Sequence, residues 1–203
     1  MRTTKTRTRE PLEGIIATEI LTTRPSRPRR LEREVETLLG IARLIARSPQ
    51  RDVMQEIARF ALAECKADSS GFSILEVRDD QEIFRWRATQ GRMARFEAGW
   101  TPADFSPCGV CIERNAVQLF QDPERYYAYL ETIAPIAELL LIPIFERNTP
   151  IGTIWVISHS GRRKFDREDA RLLLDLADVV GAMFSRGAAT TKRRPARRRK
   201  RKN

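Results

Sequence analysis

The feature that most constrains this chain is a pair of apolar runs separated by a short polar turn. The first run, Leu139–Phe145, has seven residues, and the second covers Ile151–Ser158, with 146–150 between them. Short apolar runs joined by a turn containing Asn and Pro are typical of two buried strands. Seven residues fall far short of the ~20 that a membrane-spanning helix needs. We therefore predict a β-sheet at the centre of the fold and no transmembrane segment.

Helical periodicity appears on both sides of this predicted sheet. A helix over 31–47 is predicted by apolar residues at 4-3-4-3 spacing, the pattern of a coiled-coil seam: Leu31, Val35, Leu38, Ala42 and Ile45. A second helix begins after Ser48-Pro49 and ends near Lys66, and a closing helix covers about 166–185. A short helical turn is expected near Pro107-Cys108.

Strand periodicity fills the middle of the chain. Residues 71–77 and 82–89 are predicted to form a hairpin in which Phe84, Trp86 and Ala88 share one face. A long connection over 90–107 and a short strand over 116–120 follow. The resulting fold class is α+β, with a central antiparallel sheet of about five to six strands flanked by helices.

The net charge of +10 is unevenly distributed. Residues 31–187 hold 20 basic and 24 acidic residues, so this part has a net charge of −4. We predict a basic, largely disordered arm over 1–30, a folded domain over 31–187 and a basic, disordered tail over 188–203. The tail is the candidate surface for nucleic acid or acidic partners, through Lys192, Arg193, Arg194, Arg197, Arg198, Arg199, Lys200, Arg201 and Lys202.

Short motifs spread over 31–187 resemble the GAF domain, a sensory module common in bacterial signalling proteins. The motifs are Phe84–Ala88, Asp104–Gly109, Asp122–Tyr126, Pro150–Trp155 and Phe165–Asp169. Within them, Ser-Pro-Cys-Gly resembles a subgroup often found at the N terminus of sensor histidine kinases. The resemblance implies a GAF fold and a sensory role. We expect a sensor module without a kinase, since no Gly-rich ATP-binding box follows and the only histidine, His159, has no phosphoacceptor helix.

Cys108-Gly-Val-Cys111 is the sharpest chemical candidate. Two cysteines three residues apart at the start of a helix lie on one face, and a helix N-terminus lowers a thiol's pKa, which favours redox chemistry. The competing interpretation is ordinary packing of small apolar side chains. With His159 the pair would offer three soft ligands, but no second CxxC completes a zinc site, and we predict no metal. Of the two, Cys108 is expected to be the more reactive thiol.

Aromatic residues near the long connection predict a small-molecule pocket, because a loop and a short helix often form the lid of such a site. The competing interpretation is that these residues are core, most naturally so for the two tryptophans on central strands. The candidate pocket residues are Trp86, Phe105, Ser106, Cys108, Tyr126, Tyr129, Trp155 and His159. They identify neither the ligand nor a cofactor.

The leading hypothesis is a non-enzymatic GAF sensor that binds a small molecule or senses redox state and dimerises through its first and last helices. No catalytic constellation is present, since the chain has one histidine and no Walker box. Expected partners are a second copy and a signalling kinase or another protein. The alternatives are a protein that binds nucleic acid without sequence preference through its tail, and a thiol redox protein using Cys108 and Cys111. Without an apolar leader at the N terminus, a cytoplasmic location is expected.

Overall fold

Six antiparallel strands form the centre of the computed structural model, which describes residues 11–133 and 135–191. Across the sheet the order is β3-β2-β1-β6-β5-β4. The two predicted hairpins are confirmed as β1–β2 and β5–β6, and they join at the middle where β1 pairs with β6. The strands are β1 (Ser69–Arg78), β2 (Gln81–Gly91), β3 (Trp100–Pro102), β4 (Gln118–Gln121), β5 (Glu138–Glu146) and β6 (Thr149–Ser158).

Helices cover the sheet and confirm the α+β class. They are α1 (Ile20–Thr23), α2 (Leu31–Arg47), α3 (Gln50–Glu64), α4 (Pro107–Glu113) and α5 (Arg167–Thr191). Asp166 caps α5, because its Oδ1 accepts hydrogen bonds from the backbone N–H groups of Glu168 and Asp169 at 2.8 and 3.2 Å. The helix continues to Thr191, past the end predicted near residue 185. None of the helices in the described part of the chain is long and apolar enough to cross a membrane.

Alternate strand residues face two different layers. On one side, Phe72, Ile142 and Ile154 pack with apolar residues of α3 and α5, and we call this the helix face. On the other side, Leu141 and Trp155 pack with α4 and with the 3₁₀ turns Pro123–Arg125 and Ala128–Thr132, and we call this the lid face. The alternation follows from the two-residue period of a strand.

The predicted alternation along β2 is wrong at Ala88. The sequence places Ala88 with Phe84 and Trp86, but Ala88 packs on the helix face while the other two pack on the lid face. The cause is a β-bulge, at which the β1–β2 register shifts and Ala88 takes a left-handed φ of 52°. Backbone N–H groups of Ala88 and Thr89 donate to the Glu97 carboxylate at 3.0 and 2.7 Å, which holds the bulge in place.

The first described residues belong to the folded unit, contrary to the predicted arm over 1–30. Ile15 and Leu21 are buried, and the backbone N–H of Ala17 donates to the Leu119 carbonyl of β4 at 2.8 Å. The backbone N–H of Gln121 donates in turn to the Ile15 carbonyl at 2.8 Å. Residues 15–18 therefore cover the β4 edge of the sheet. Residues 1–10 and 192–203, on which the remaining arm and tail predictions fall, lie outside the described residues.

Two arginines of the predicted basic arm, Arg24 and Arg27, hold this segment to the domain, and we call them the arginine strap. Arg24 donates to both carboxylate oxygens of the fully buried Glu138, at 2.9 and 2.6 Å. Arg27 lies 2.7 Å from a carboxylate oxygen of the buried Asp169. A buried carboxylate is costly without a cationic partner. The basic residues at 24–30 are therefore explained in part by the acids that they cover.

Candidate functional site

A small cavity lies between the lid face of the sheet and α4. Its volume is about 40 Å³, enough for roughly two or three water molecules. The lining is almost wholly apolar, and only a small guest fits without movement of the surrounding turns. The lining residues are Ser73, Trp86, Met93, Thr101, Pro107, Cys108, Leu130, Ile133, Ile136, Leu139, Leu141, Trp155 and Ile157.

Three predicted pocket residues, Trp86, Cys108 and Trp155, lie in this lining. The two tryptophans are 8% and 3% exposed, so they are at once core residues and cavity walls. Trp155 is fixed in orientation because its indole N–H donates to the Ser73 hydroxyl at 3.1 Å. The pocket interpretation and the core interpretation therefore both apply to these two tryptophans.

The predicted aromatic lid packs beside the cavity and does not line it. Phe105, Tyr126 and Tyr129 form one cluster with Tyr127, with ring centroids between 4.8 and 6.2 Å apart. The Tyr129 hydroxyl donates to the Phe105 carbonyl at 3.2 Å, and burial raises the pKa of Tyr129. These rings support the turns over the cavity, so any guest would meet them only if those turns moved.

Ser106 and His159 also lie outside the lining, and each makes hydrogen bonds within the fold. The Ser106 hydroxyl caps α4 by accepting from the Gly109 N–H at 3.2 Å. The His159 ring bonds the Pro135 carbonyl through Nδ1 at 2.7 Å and the Ser69 hydroxyl through Nε2 at 2.9 Å. Both ring nitrogens are thus occupied, and burial lowers the pKa of His159. The residues that the structure describes contain no group of three potential metal ligands.

The two cysteines of α4 are buried, with Cys108 at the cavity wall. The Thr153 hydroxyl donates to the Cys108 sulfur at 3.4 Å. Burial raises the pKa of Cys108 and raises that of Cys111 well above its usual value. The expected lowering by the helix N-terminus is therefore wrong here, because loss of solvation outweighs it.

Thr101 lines the cavity but is not among the residues predicted from the sequence. It matters most for binding because of its hydroxyl. It is 4% exposed, and its Oγ1 has no hydrogen-bond partner among the described residues. A buried hydroxyl without a partner costs free energy, so such groups usually meet water or a ligand. No periodicity marks Thr101, because β3 has only three residues inside a long connection and ends at Pro102.

The fold and the cavity together define an α+β module with a six-stranded antiparallel sheet. A GAF domain family model matches residues 50–185, about two thirds of the sequence. The chain belongs to the GAF domain family. No curated protein matches it.

Solved structures with this fold include other GAF domains and an enzyme. The second GAF domain of DevS from Mycobacterium smegmatis is 19% identical, with a TM-score of 0.58 over 71% of this chain and 99% of that one. Free methionine-R-sulfoxide reductase from Neisseria meningitidis, in complex with its substrate, is 19% identical, with a TM-score of 0.63 over 81% and 97%. The phycocyanobilin-bound GAF domain of a cyanobacterial phytochrome is 14% identical, with a TM-score of 0.62 over 77% and 96%.

The prediction of a non-enzymatic protein is contradicted by these neighbours. A methionine-R-sulfoxide reductase shares the fold, so the absence of a histidine cluster and of a Walker box does not exclude catalysis. The prediction is wrong because proteins that share the GAF fold carry out different chemistry, and the fold alone does not determine function.

Proposed function

We propose that this GAF domain is a sensory module that binds a small, mostly apolar molecule in the cavity beside Trp155. The observation that carries the proposal is the Thr101 hydroxyl, which lies in a mostly apolar cavity and has no hydrogen-bond partner among the described residues. A guest with one hydrogen-bonding group would satisfy that hydroxyl while its remaining surface is buried by the two tryptophans. A guest larger than the cavity would displace the turns that carry Leu130, Ile133 and Ile136.

Native mass spectrometry of the protein purified from its own host tests this proposal. We expect a non-covalent mass on the wild-type chain that the Thr101→Val variant lacks. Thr132→Val is the matched control, because Thr132 is exposed and bonds only within its own turn. Retention of the bound mass by Thr101→Val would remove the main support for this site.

We propose further that the signal passes through a dimer formed by α2 and α5. Leu31, Val35 and Leu39 of α2 are 54%, 54% and 53% exposed and lie on one stripe. Arg171 of α5 bonds Glu34 of α2 at 2.8 Å, and Leu174, three residues further along α5, is also exposed. An exposed apolar stripe of this kind fits a partner helix of the same sequence.

The dimer test must avoid those residues of the 4-3-4-3 pattern that pack against the core of the domain. Leu38 and Ile45 pack against the core of their own domain, so a charge there would damage folding. Val35→Lys with Leu39→Lys is the appropriate variant, and Glu36→Lys is the control on the same helix. We expect monomers from the first and dimers from the second by light scattering. A monomeric wild-type protein at tens of micromolar would exclude this interface.

A second candidate function is thiol reduction of a small sulfoxide, favoured by the position of Cys108 at the cavity wall. In such a reaction the two thiols of Cys108 and Cys111 would be oxidised to a disulfide, while the sulfoxide would become a thioether and its oxygen would leave as water. The raised pKa of both thiols opposes this chemistry unless the guest alters their surroundings. Incubation with methionine sulfoxide should consume two thiols per chain, and Cys108→Ser but not Cys65→Ser should prevent the loss. Unchanged thiol content would exclude the reductase.

A further inference from the structure

A groove separate from the cavity lies on the side of β3 that faces away from the cavity. Because neighbouring residues of a strand point to opposite sides, Thr101 lies in the cavity while Trp100 and Pro102 face away from it. Trp100 is 45% exposed, unusual for so large an aromatic side chain. We call this surface the Trp100 groove, formed chiefly by Glu82, Ile83, Trp100, Pro102 and Asp104, with a volume of about 380 Å³.

The chemistry of the Trp100 groove selects cations. Glu82 and Asp104 are exposed, and neither carboxylate has an ion pair within the described ranges 11–133 and 135–191. The guanidinium of Arg78 already lies 5.8 Å from the centroid of the Trp100 ring. A tryptophan face beside two free carboxylates attracts arginine and lysine side chains through cation–π and ionic interactions. The groove therefore fits a basic peptide segment.

The chain itself carries such a segment at a suitable distance. Gly181 of α5 packs on the end of β5, since a Cβ there would lie 2.1 Å from the Phe145 carbonyl oxygen. Ile74 of β1 lies opposite Gly152 of β6, so the β1–β2 turn, Asp79-Asp80, is at this same end of the sheet. The chain leaves α5 at the end of the sheet where the groove opens. The next eleven residues, 192–202, contain nine basic side chains.

The length of the tail is sufficient to reach the groove. From β5 to β3 there are four strand spacings, which amount to roughly 19 Å. From Gly181 to Thr191 the helix continues about 15 Å beyond the sheet, at 1.5 Å per residue. Taken as perpendicular displacements, these two distances place the groove about 25 Å from the end of α5. Eleven extended residues span roughly 36 Å, which is enough.

We propose that the basic tail, residues 192–202, docks in cis on the Trp100 groove, with its cations on Glu82, Asp104 and the Trp100 ring. Docked in this way, the tail is withheld from nucleic acid and other anionic partners. Since β3 separates the groove from the cavity, a guest that moves Thr101 also moves Trp100 and weakens docking. This last step alone rests on the proposed ligand site.

Zero-length carbodiimide cross-linking of the full chain tests the docking without any ligand. The reagent joins a lysine amine to a carboxylate that it touches, and the far end of the tail offers Lys200 and Lys202. We expect cross-links from these lysines to Glu82 or Asp104 in monomeric product, reduced severalfold at about 0.5 M salt, where the Debye length is only a few ångströms. The double variant Glu82→Gln/Asp104→Asn should lose them. Glu36→Gln/Glu113→Gln, which changes two exposed carboxylates on other surfaces, should keep them.

Two further experiments complete this test. Trp100→Ala should lower the cross-link yield, whereas Leu39→Ala, at an exposed apolar residue of α2, should not. Mixing isotopically labelled and unlabelled chains separates links within one chain from links between chains. Links only between chains, or links spread evenly over all exposed carboxylates, would overturn docking in cis. Because no guest is added, such a failure leaves the ligand proposal untouched, and loss of a guest in Thr101→Val leaves the docking untouched.

Discussion

The two faces of the sheet are built from the same strands but filled in different ways. The helix face is packed with aliphatic side chains of 0% exposure, such as Ile57, Ile142 and Leu176. The lid face holds tryptophans, tyrosines and two thiols around a cavity of about 40 Å³ with an unpaired hydroxyl. Close packing gives stability and a single arrangement, while an imperfect layer leaves room for a guest. The stability of the domain therefore comes mainly from the helix face, whereas the proposed ligand site lies on the lid face.

Neighbouring residues of β5 give the largest test of this difference. Ile142 lies on the helix face and Leu141 lines the cavity, and both are 0% exposed. Ile142→Ala should lower the free energy of unfolding by about 4 kcal/mol and Leu141→Ala by about 2–3 kcal/mol, because the second side chain already lacks contacts on its cavity side. Urea unfolding measures both values. Equal losses would show that the two faces are packed equally well.

The arginine strap gives a test that depends on pH. Burial alone would raise the pKa of Glu138, but Arg24, the Phe165 N–H and Gln121 hold it below its usual value. The stabilisation is therefore present above the ordinary glutamate pKa of about 4.3 and is lost as pH falls through the lower folded value. Arg24→Ala should cost about 3 kcal/mol at neutral pH, because it leaves a buried carboxylate with fewer partners. It should also cost less in acid, as thermal unfolding at a series of pH values would show; a cost independent of pH would contradict the role of Glu138.

Thr101 and Ser73 make a matched pair of hydroxyls on the cavity. Thr101→Val removes a group without a partner and should change stability by less than about 1 kcal/mol, in the stabilising direction. Ser73→Ala removes the acceptor of the Trp155 indole N–H and should destabilise by about 1 kcal/mol or more. Thermal unfolding of the two variants compares them directly. Destabilisation by Thr101→Val would mean that the hydroxyl has a structural role.

The smallest expected effect concerns the thiols. Burial raises the pKa of all three cysteines, well above the usual value for Cys65 and Cys111 and less for Cys108. Alkylation of the native protein near pH 8 should therefore be slow everywhere and fastest at Cys108. Rates measured against pH for each single-cysteine chain would check this order. A Cys108 that reacts faster than a free thiol would restore the redox hypothesis.

Elements with a long and regular period could be predicted well from the sequence. Helix α2 has the predicted bounds, and both central hairpins lie where the apolar runs place them. Periodicity records burial over many residues, so one exception has little effect on it. The positions of Trp86, Trp155 and Cys108 in the cavity lining could be predicted for a related reason. Each lies on a strand or helix whose buried face follows from the spacing of its apolar residues.

Features that depend on one residue or on distant partners could not be predicted. The bulge at Ala88 reverses a face through a single φ angle and is held by Glu97 from the following turn. The segment at 15–18 lacks any strand signal because its partner, β4, lies a hundred residues away. Whether a buried polar group finds a hydrogen-bond partner also depends on distant residues. The bonds of His159 and the missing bond of Thr101 depend on packing that no local pattern contains.

The pairing of residues 15–18 with β4 has a practical consequence for anyone who moves this domain into another protein. A fragment cut to the family match, 50–185, would lose that pairing together with both strap arginines. It would then present a bare strand edge, which invites sheet-to-sheet aggregation, and leave two interior acids poorly neutralised. Fusions and reporters built on this chain should therefore keep the sequence from about residue 11 onward, since the unit that folds together is longer than the segment matched by the family model.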